Sequence, residues 1–271
     1  MITHTITGGG GVRLHLLESG NTQGRPIVFI HGISQSSHTW MRQLNSDLAR
    51  TYRLIAMDLR GHGLSDKPQD AYADSRLWAD DVQAVIEELE LDHPVLCGWS
   101  YGPLVILDYV RHFGESAVGG LIFVGGVTKL GSDEAASVLT ADFLNLVPGF
   151  FSDDTEQSVR SLRDLIKLCH AQELSEEDRY HMLGYNVSAP AFVRRAMLTR
   201  SIDNDDLLPG LRKPALIAHG SSDAVVKAAV IERQMRSIKS ATIQMMNTGH
   251  ACFWDDAPGF NQSLRNFADT L

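Results

Sequence analysis

The sequence predicts an α/β chain: a mainly parallel sheet with helices on both faces, interrupted late by one helical insertion. Three observations predict it. Short β-rich runs alternate with helical periodicity through most of the 271 residues, the uninterrupted apolar runs are strand-sized, and the alternation stops over residues 128–209, where only helical patterns occur. At 44% hydrophobic and 21% charged residues, the chain carries enough apolar mass to bury a sizeable core.

Taken in order, Thr3-His4-Thr5-Ile6-Thr7 alternates as a strand. The four glycines Gly8 to Gly11 then form a turn, not a phosphate loop, and a second strand over 12–18 completes an antiparallel hairpin. Further strands are expected at 26–30, 53–57, 94–98, 120–125, 215–219 and 242–246. Between them, Leu77, Trp78, Val82, Val85, Ile86 and Leu89 fall at helical spacing behind an Asp74/Ser75 cap signal, and that helix stops at Asp92-His93-Pro94. Helical runs follow at 103–112 and 224–238 and at the C-terminus. The insertion shows four, at 135–147, 155–172, 176–183 and 190–201. Residues 1–127 and 210–271 therefore read as one sheet domain, and 128–209 as a helical cap over a site.

Charge and cysteine usage exclude several classes. Lys plus Arg number 24 against 33 for Asp plus Glu, a net charge of -9, and no basic run could exchange counterions with a nucleic acid. No apolar stretch approaches the roughly 20 residues of a membrane-spanning helix. Met1-Ile2-Thr3-His4 lacks the charged and apolar regions of a secretory signal, and Cys97, Cys169 and Cys252 are an odd number without CxxC spacing, so reduced thiols and a cytoplasmic location are expected. No HExxH, HxHxDH or CxxC pattern occurs, so no metal and no cofactor is predicted. The oligomeric state is not encoded legibly.

Gly98-Trp99-Ser100-Tyr101-Gly102 matches GxSxG between an expected strand and an expected helix. A serine on so tight a turn needs small neighbours, and the helix N-terminus that follows favours developing negative charge. Such a serine needs a base, and the base an orienting acid. Asp223, in His219-Gly220-Ser221-Ser222-Asp223, and His250, in Asn247-Thr248-Gly249-His250, each follow an expected strand. In a parallel sheet both reach the carboxyl edge that carries Ser100. Each has a plainer reading, Asp223 as a helix cap and His250 as a loop histidine. Three such residues on loops at one edge favour the chemical reading, and Asp255 and Asp256 are the other carboxylates near His250 in sequence. His31-Gly32-Ile33-Ser34 follows the 26–30 strand, so the amides of Ile33 and Tyr101 are candidates for an oxyanion hole. His31 reads as a structural histidine. Ser34 is either a turn residue or a hydroxyl contact to substrate.

These segments, with Asp58-Leu59-Arg60-Gly61-His62-Gly63-Leu64-Ser65-Asp66, resemble the α/β-hydrolase superfamily, in its capped kind of esterases, lactonases, cofactor-free perhydrolases, epoxide hydrolases and dehalogenases. The resemblance runs in family order from about residue 12 to the C-terminal helix, and covers the cap least. It implies that 58–66 is a structural loop rather than a metal or nucleotide motif. Ser100 stands where epoxide hydrolases and haloalkane dehalogenases carry Asp, which disfavours those activities. The expected chemistry is metal-free hydrolysis of a hydrophobic small-molecule carboxylic ester or lactone through Ser100, His250 and Asp223. The cap's Phe143, Val147, Phe151 and Tyr185 are candidates to wall an acyl pocket, and acyl-homoserine lactone is the specific candidate substrate. The alternatives are a small-molecule receptor or signalling protein on the same scaffold, or a cofactor-free perhydrolase or oxygenase.

Overall fold

In the computed structural model, which describes residues 1–271, ten strands form in chain order. They are β1 (Ile2–Thr7), β2 (Arg13–Gly20), β3 (Pro26–Ile30), β4 (Arg53–Met57), β5 (Val95–Trp99), β6 (Gly120–Val124), β7 (Lys129–Leu130), β8 (Ile202–Asp203), β9 (Ala215–Gly220) and β10 (Ala241–Met246). Eight make one sheet in the order β1-β2-β4-β3-β5-β6-β9-β10. β2 is antiparallel to β1 and β4, and every other pairing is parallel. The central strands β3, β5 and β6 are buried along their whole length, which is why they read as continuous apolar runs rather than alternating ones.

The helices are α1 (Met41–Leu44), α2 (Ser75–Glu88), α3 (Gly102–Phe113), α4 (Asp133–Ser137), α5 (Ala141–Phe150), α6 (Thr155–Cys169), α7 (Glu176–Ser188), α8 (Ala191–Leu198), α9 (Ala229–Ser237), α10 (Cys252–Asp255) and α11 (Ala257–Ala268). α2 buries Trp78, Val82, Val85 and Ile86 of the expected stripe, with Ala79 beside them and Leu77 half-buried, and the Asp74 side chain accepts from the Arg76 amide at its N-terminus. In α3 every residue from Gly102 to Tyr109 is buried, because α2 and the sheet enclose it. No helix is long and apolar enough to cross a membrane.

The structure corrects three expectations. The 128–209 segment is not purely helical: β7 and β8 pair antiparallel across its two ends, and two-residue strands are too short to show a period in sequence. The helix expected at 135–147 breaks into α4 and α5, because Leu139 bridges to Val226 and the Thr140 amide donates to the Val225 carbonyl instead of continuing a helix. For the same reason α9 begins at Ala229 rather than near 224. The Val225 and Val226 amides are held by Asp223, and the Lys227 amide by the Val138 carbonyl.

Candidate active site

Ser100 sits between β5 and α3 with φ +59, in the left-handed region that non-glycine residues seldom adopt. Its amide donates to the Val124 carbonyl at 2.9 Å, and its carbonyl accepts from the Val127 amide at 3.1 Å. The turn is therefore held from β6 and the chain that follows it, and the side chain stands at the N-terminus of a twelve-residue helix.

His250 and Asp223 meet beside the residue that precedes Ser100, with the imidazole 5.3 Å from the Trp99 ring. His250 Nδ1 lies 2.8 Å from Asp223 Oδ2, and both side chains are buried. The second oxygen, Oδ1, accepts from the Val225 and Val226 amides at 2.8 Å each, so the carboxylate is fixed before it touches the imidazole. Burial opposes its charge, but His250 and these amides overcome that and hold Asp223 below the ordinary carboxylate range. An ionised carboxylate only accepts, which assigns the proton to Nδ1 and leaves Nε2 bare. Nε2 is buried and has no hydrogen-bond partner. Gly125, at φ +50, lies under this pair: a methyl group there would sit 2.9 Å from His250 Nδ1 and 3.3 Å from Asp223 Oδ2. His219 stands behind, its Nε2 3.6 Å from Asp223 Oδ2, and burial lowers its pKa.

The 31–37 loop passes against Ser100, so closely that a methyl on Gly32 would lie 2.9 Å from the serine Cβ. The amides of Ile33 and Tyr101 donate to no protein acceptor. Two buried neutral histidines hold this loop. His31 donates from Nδ1 to the Gly32 carbonyl (2.7 Å) and accepts at Nε2 from the Leu59 amide (3.0 Å), while His62 accepts at Nε2 from the Ser34 amide (3.1 Å). Burial lowers the His31 pKa to about 4 and the His62 pKa to about 3. Asp58 accepts from the Ser37 and Leu64 amides and pairs with His15; burial opposes its charge, but these partners keep it ionised. The 58–66 segment thus braces the loop beside Ser100. Arg60 anchors that segment through a fully buried bidentate pair with Asp81, at 2.7 Å to each oxygen.

Other expected residues fall elsewhere. Ser34, expected as a turn residue or a substrate contact, is buried at φ +62 and donates its hydroxyl to the Asn186 carbonyl of α7 at 3.0 Å. The hydroxyl hydrogen is engaged in docking the insertion. Phe143 is buried against Phe150, Val147 is half-buried, and the Phe151 ring lies under the Arg195 guanidinium, so the partners of both phenylalanines belong to the insertion itself. Tyr185 reaches further. It lines, with Gln35, Trp99, Cys169, Ala251 and Trp254, a cavity of about 10 Å³, room for roughly one water molecule.

Sequence reasoning missed Gly125, Asn186 and Arg200. Asn186 pairs with Gln35 through their amides, at 3.2 Å. Arg200, past the end of α8, donates to the Tyr101 hydroxyl and to Asp108 at 2.8 Å each, with its guanidinium over the Trp78 ring. A glycine after an apolar strand was the available signal for the first. The other two had none, since their partners lie about 90 to 150 positions away.

A family model described as the alpha/beta hydrolase fold matches residues 25–257. The esterase RhEst1 from Rhodococcus sp. ECU1013 is 34% identical, with all of both chains covered and a TM-score of 0.95. The AB hydrolase superfamily protein YisY of Bacillus subtilis (strain 168) is 28% identical over 91% of this chain and 92% of that protein. A non-heme chloroperoxidase of Streptomyces lividans is 28% identical over 83% and 84%.

Proposed function

The chain belongs to the alpha/beta hydrolase fold family, and from that premise we propose that it is a metal-independent serine hydrolase of carboxylic esters or lactones. The observation that carries this reading is the buried His250, its Nδ1 on Asp223 and its Nε2 unpartnered, in a site that also holds a serine on a strained strand-to-helix turn. Ser100 Oγ attacks the substrate carbonyl as Nε2 takes its proton. The amides of Ile33 and Tyr101 receive the oxyanion, and the tetrahedral intermediate collapses as the imidazolium returns the proton to the leaving oxygen. Water, deprotonated by the same imidazole, then attacks the acyl-enzyme, and the imidazolium returns that proton to Ser100 Oγ as the acyl–oxygen bond breaks and the acid leaves. Asp223 keeps the proton on Nδ1 and stabilises the imidazolium. Residues 128–209 serve as the cap over this site, with Tyr185 lining the small cavity beside Trp99 and Arg200 bonded to Tyr101 of the Ser100 turn.

The similarity to an esterase supports the ester class. Acyl-homoserine lactone is the specific lactone candidate, on the apolar composition of the insertion, of which Met182 and Tyr185 line a small cavity with Trp99. The test is labelling by a fluorophosphonate and hydrolysis of p-nitrophenyl esters beside lactones of matched acyl length, in wild type and Ser100→Ala, with and without EDTA. The expected result is labelling at Ser100, loss of nearly all turnover in Ser100→Ala, and indifference to EDTA. Labelling elsewhere, or turnover that survives Ser100→Ala, overturns the reading. Linear esters cleaved while every lactone stays intact reduces it to a carboxylesterase, and binding without multiple turnovers makes the protein a receptor.

The similarity to a non-heme chloroperoxidase favours one second reading, perhydrolysis, in which hydrogen peroxide replaces water in the second step and the product is a peracid. Peracid formation from acetate or an ester with added peroxide tests it.

A further inference from the structure

The backbone around His250 is tied on each side. The Gly249 amide donates to Asp255 Oδ2 at 2.9 Å, the His250 carbonyl accepts from Trp99 Nε1 at 3.0 Å, and the Ala251 amide donates to the Cys169 carbonyl at 2.8 Å. Asp255 does not touch the imidazole. Its Oδ2 also accepts from the Ala171 amide at 2.9 Å, and its Oδ1 lies 2.7 Å from His170 Nδ1, with the two side chains 2% and 4% exposed. Cys169 ends α6, and His170 and Ala171 follow it directly, on the insertion. The contact is close: a methyl on Gly249 would meet the Ala171 nitrogen at 2.7 Å and the Cys169 oxygen at 2.8 Å, both backbone atoms that cannot swing away.

Resting on the reading of His250 as the proton carrier, we propose that Asp255, locked by His170, is a positioning residue that sets the orientation of His250 through the flanking backbone. The end of α6 is thereby part of the reaction machinery as well as its cover. One carboxylate accepts from three donors here, which a neutral amide cannot do, because its nitrogen only donates. Burial opposes the charge on Asp255, but His170 and the two amides outweigh it and keep the group ionised, in the state that accepts. An imidazole displaced by a fraction of an ångström loses in-line reach to the serine hydroxyl, and misplacement of that order lowers turnover by about 10- to 100-fold while leaving substrate binding in place.

The experiment compares full-length Asp255→Asn, His170→Phe and His170→Asn with wild type. It reads kcat and KM on a p-nitrophenyl ester, the second-order rate of fluorophosphonate labelling, and Tm. Asp255→Asn and His170→Phe are expected to lower kcat and the labelling rate together, by about 10- to 100-fold, with KM within about twofold. His170→Asn, whose Nδ2 occupies the place of Nδ1 and donates as it does, recovers most of what His170→Phe loses. A folded Asp255→Asn with wild-type kcat and labelling rate overturns the proposal, as does a loss confined to Tm or KM. If Asp255→Asn does not fold, the two His170 variants decide by the same readouts. A wild-type chain that is neither labelled at Ser100 nor turns over any ester overturns the reading of the site itself. Labelling at Ser100 with an indifferent Asp255 overturns this inference alone.

Discussion

Asp223 does two jobs with two oxygens, and they can be separated. Oδ1 holds the start of the following segment through the Val225 and Val226 amides, while Oδ2 meets His250. In Asp223→Asn the carbonyl oxygen can still accept from those amides, which keeps the fold, but the amide nitrogen then faces Nδ1 and forces the proton to Nε2. An imidazole in that tautomer cannot accept from Ser100. Turnover is expected to fall by roughly 10⁴-fold with Tm little changed, as kinetics and thermal melts on one preparation will show. Near-normal turnover would remove Asp223 from its assigned role. Asp255 is not a spare for it, since both of its oxygens are already engaged by Gly249, Ala171 and His170.

At the scale of one element, the loop beside Ser100 depends on histidines that work only when neutral. His31 and His62 each accept a backbone amide hydrogen at Nε2, so a proton there breaks the bond. Their folded pKa values of about 4 and about 3 lie below the roughly 6.5 of an unfolded histidine. Between those values the unfolded chain binds protons that the folded chain refuses. The contribution to stability is therefore complete above pH ~6.5 and is lost as pH falls toward 4, at about 1.4 kcal/mol per histidine per pH unit. Asp58, held ionised in the fold, adds to the loss at still lower pH. Urea unfolding at pH 7, 6 and 5 should show this decline, and His62→Gln, which does not titrate, should flatten it by about one proton. A wild-type stability that is level from pH 7 to 5 would refute the account.

Across the whole molecule, the insertion is bonded to each of the loops that carry a candidate residue. It reaches the 31–37 loop through Asn186, the Ser100 turn through Arg200 and Tyr101, the Asp223 loop through Leu139 and Thr140, and the His250 loop through Cys169 and Asp255. Four separate anchorages make the cover and the sheet one cooperative unit, and calorimetry should find a single transition whose calorimetric and van't Hoff enthalpies agree. The Arg200 tie includes an ion pair to Asp108 that is almost completely buried. Arg200→Met leaves that carboxylate buried without its partner, at an expected cost of about 3 to 5 kcal/mol. Chemical denaturation measures this, and a cost under 1 kcal/mol would mean that Asp108 finds another partner or a proton.

The succession of strands along the chain, the amphipathic α2, the helix behind Gly102 and the placing of Ser100, Asp223 and His250 after β5, β9 and β10 were legible in the chain alone. Each is a local pattern: a period, a cap, a tight turn, or a position relative to a strand whose direction follows from parallel pairing. The split of α4 from α5, the β7–β8 ribbon, the engagement of the Ser34 hydroxyl and the tie from Asp255 to His170 and Ala171 were not legible. Those depend on which backbone groups from distant segments meet, and a hydrogen bond between residues more than 60 positions apart leaves no period in either. By itself the sequence determined the sheet and which loops could carry chemistry. Tertiary structure alone decided how those loops are held, because polar groups buried by packing must find partners wherever the fold brings them.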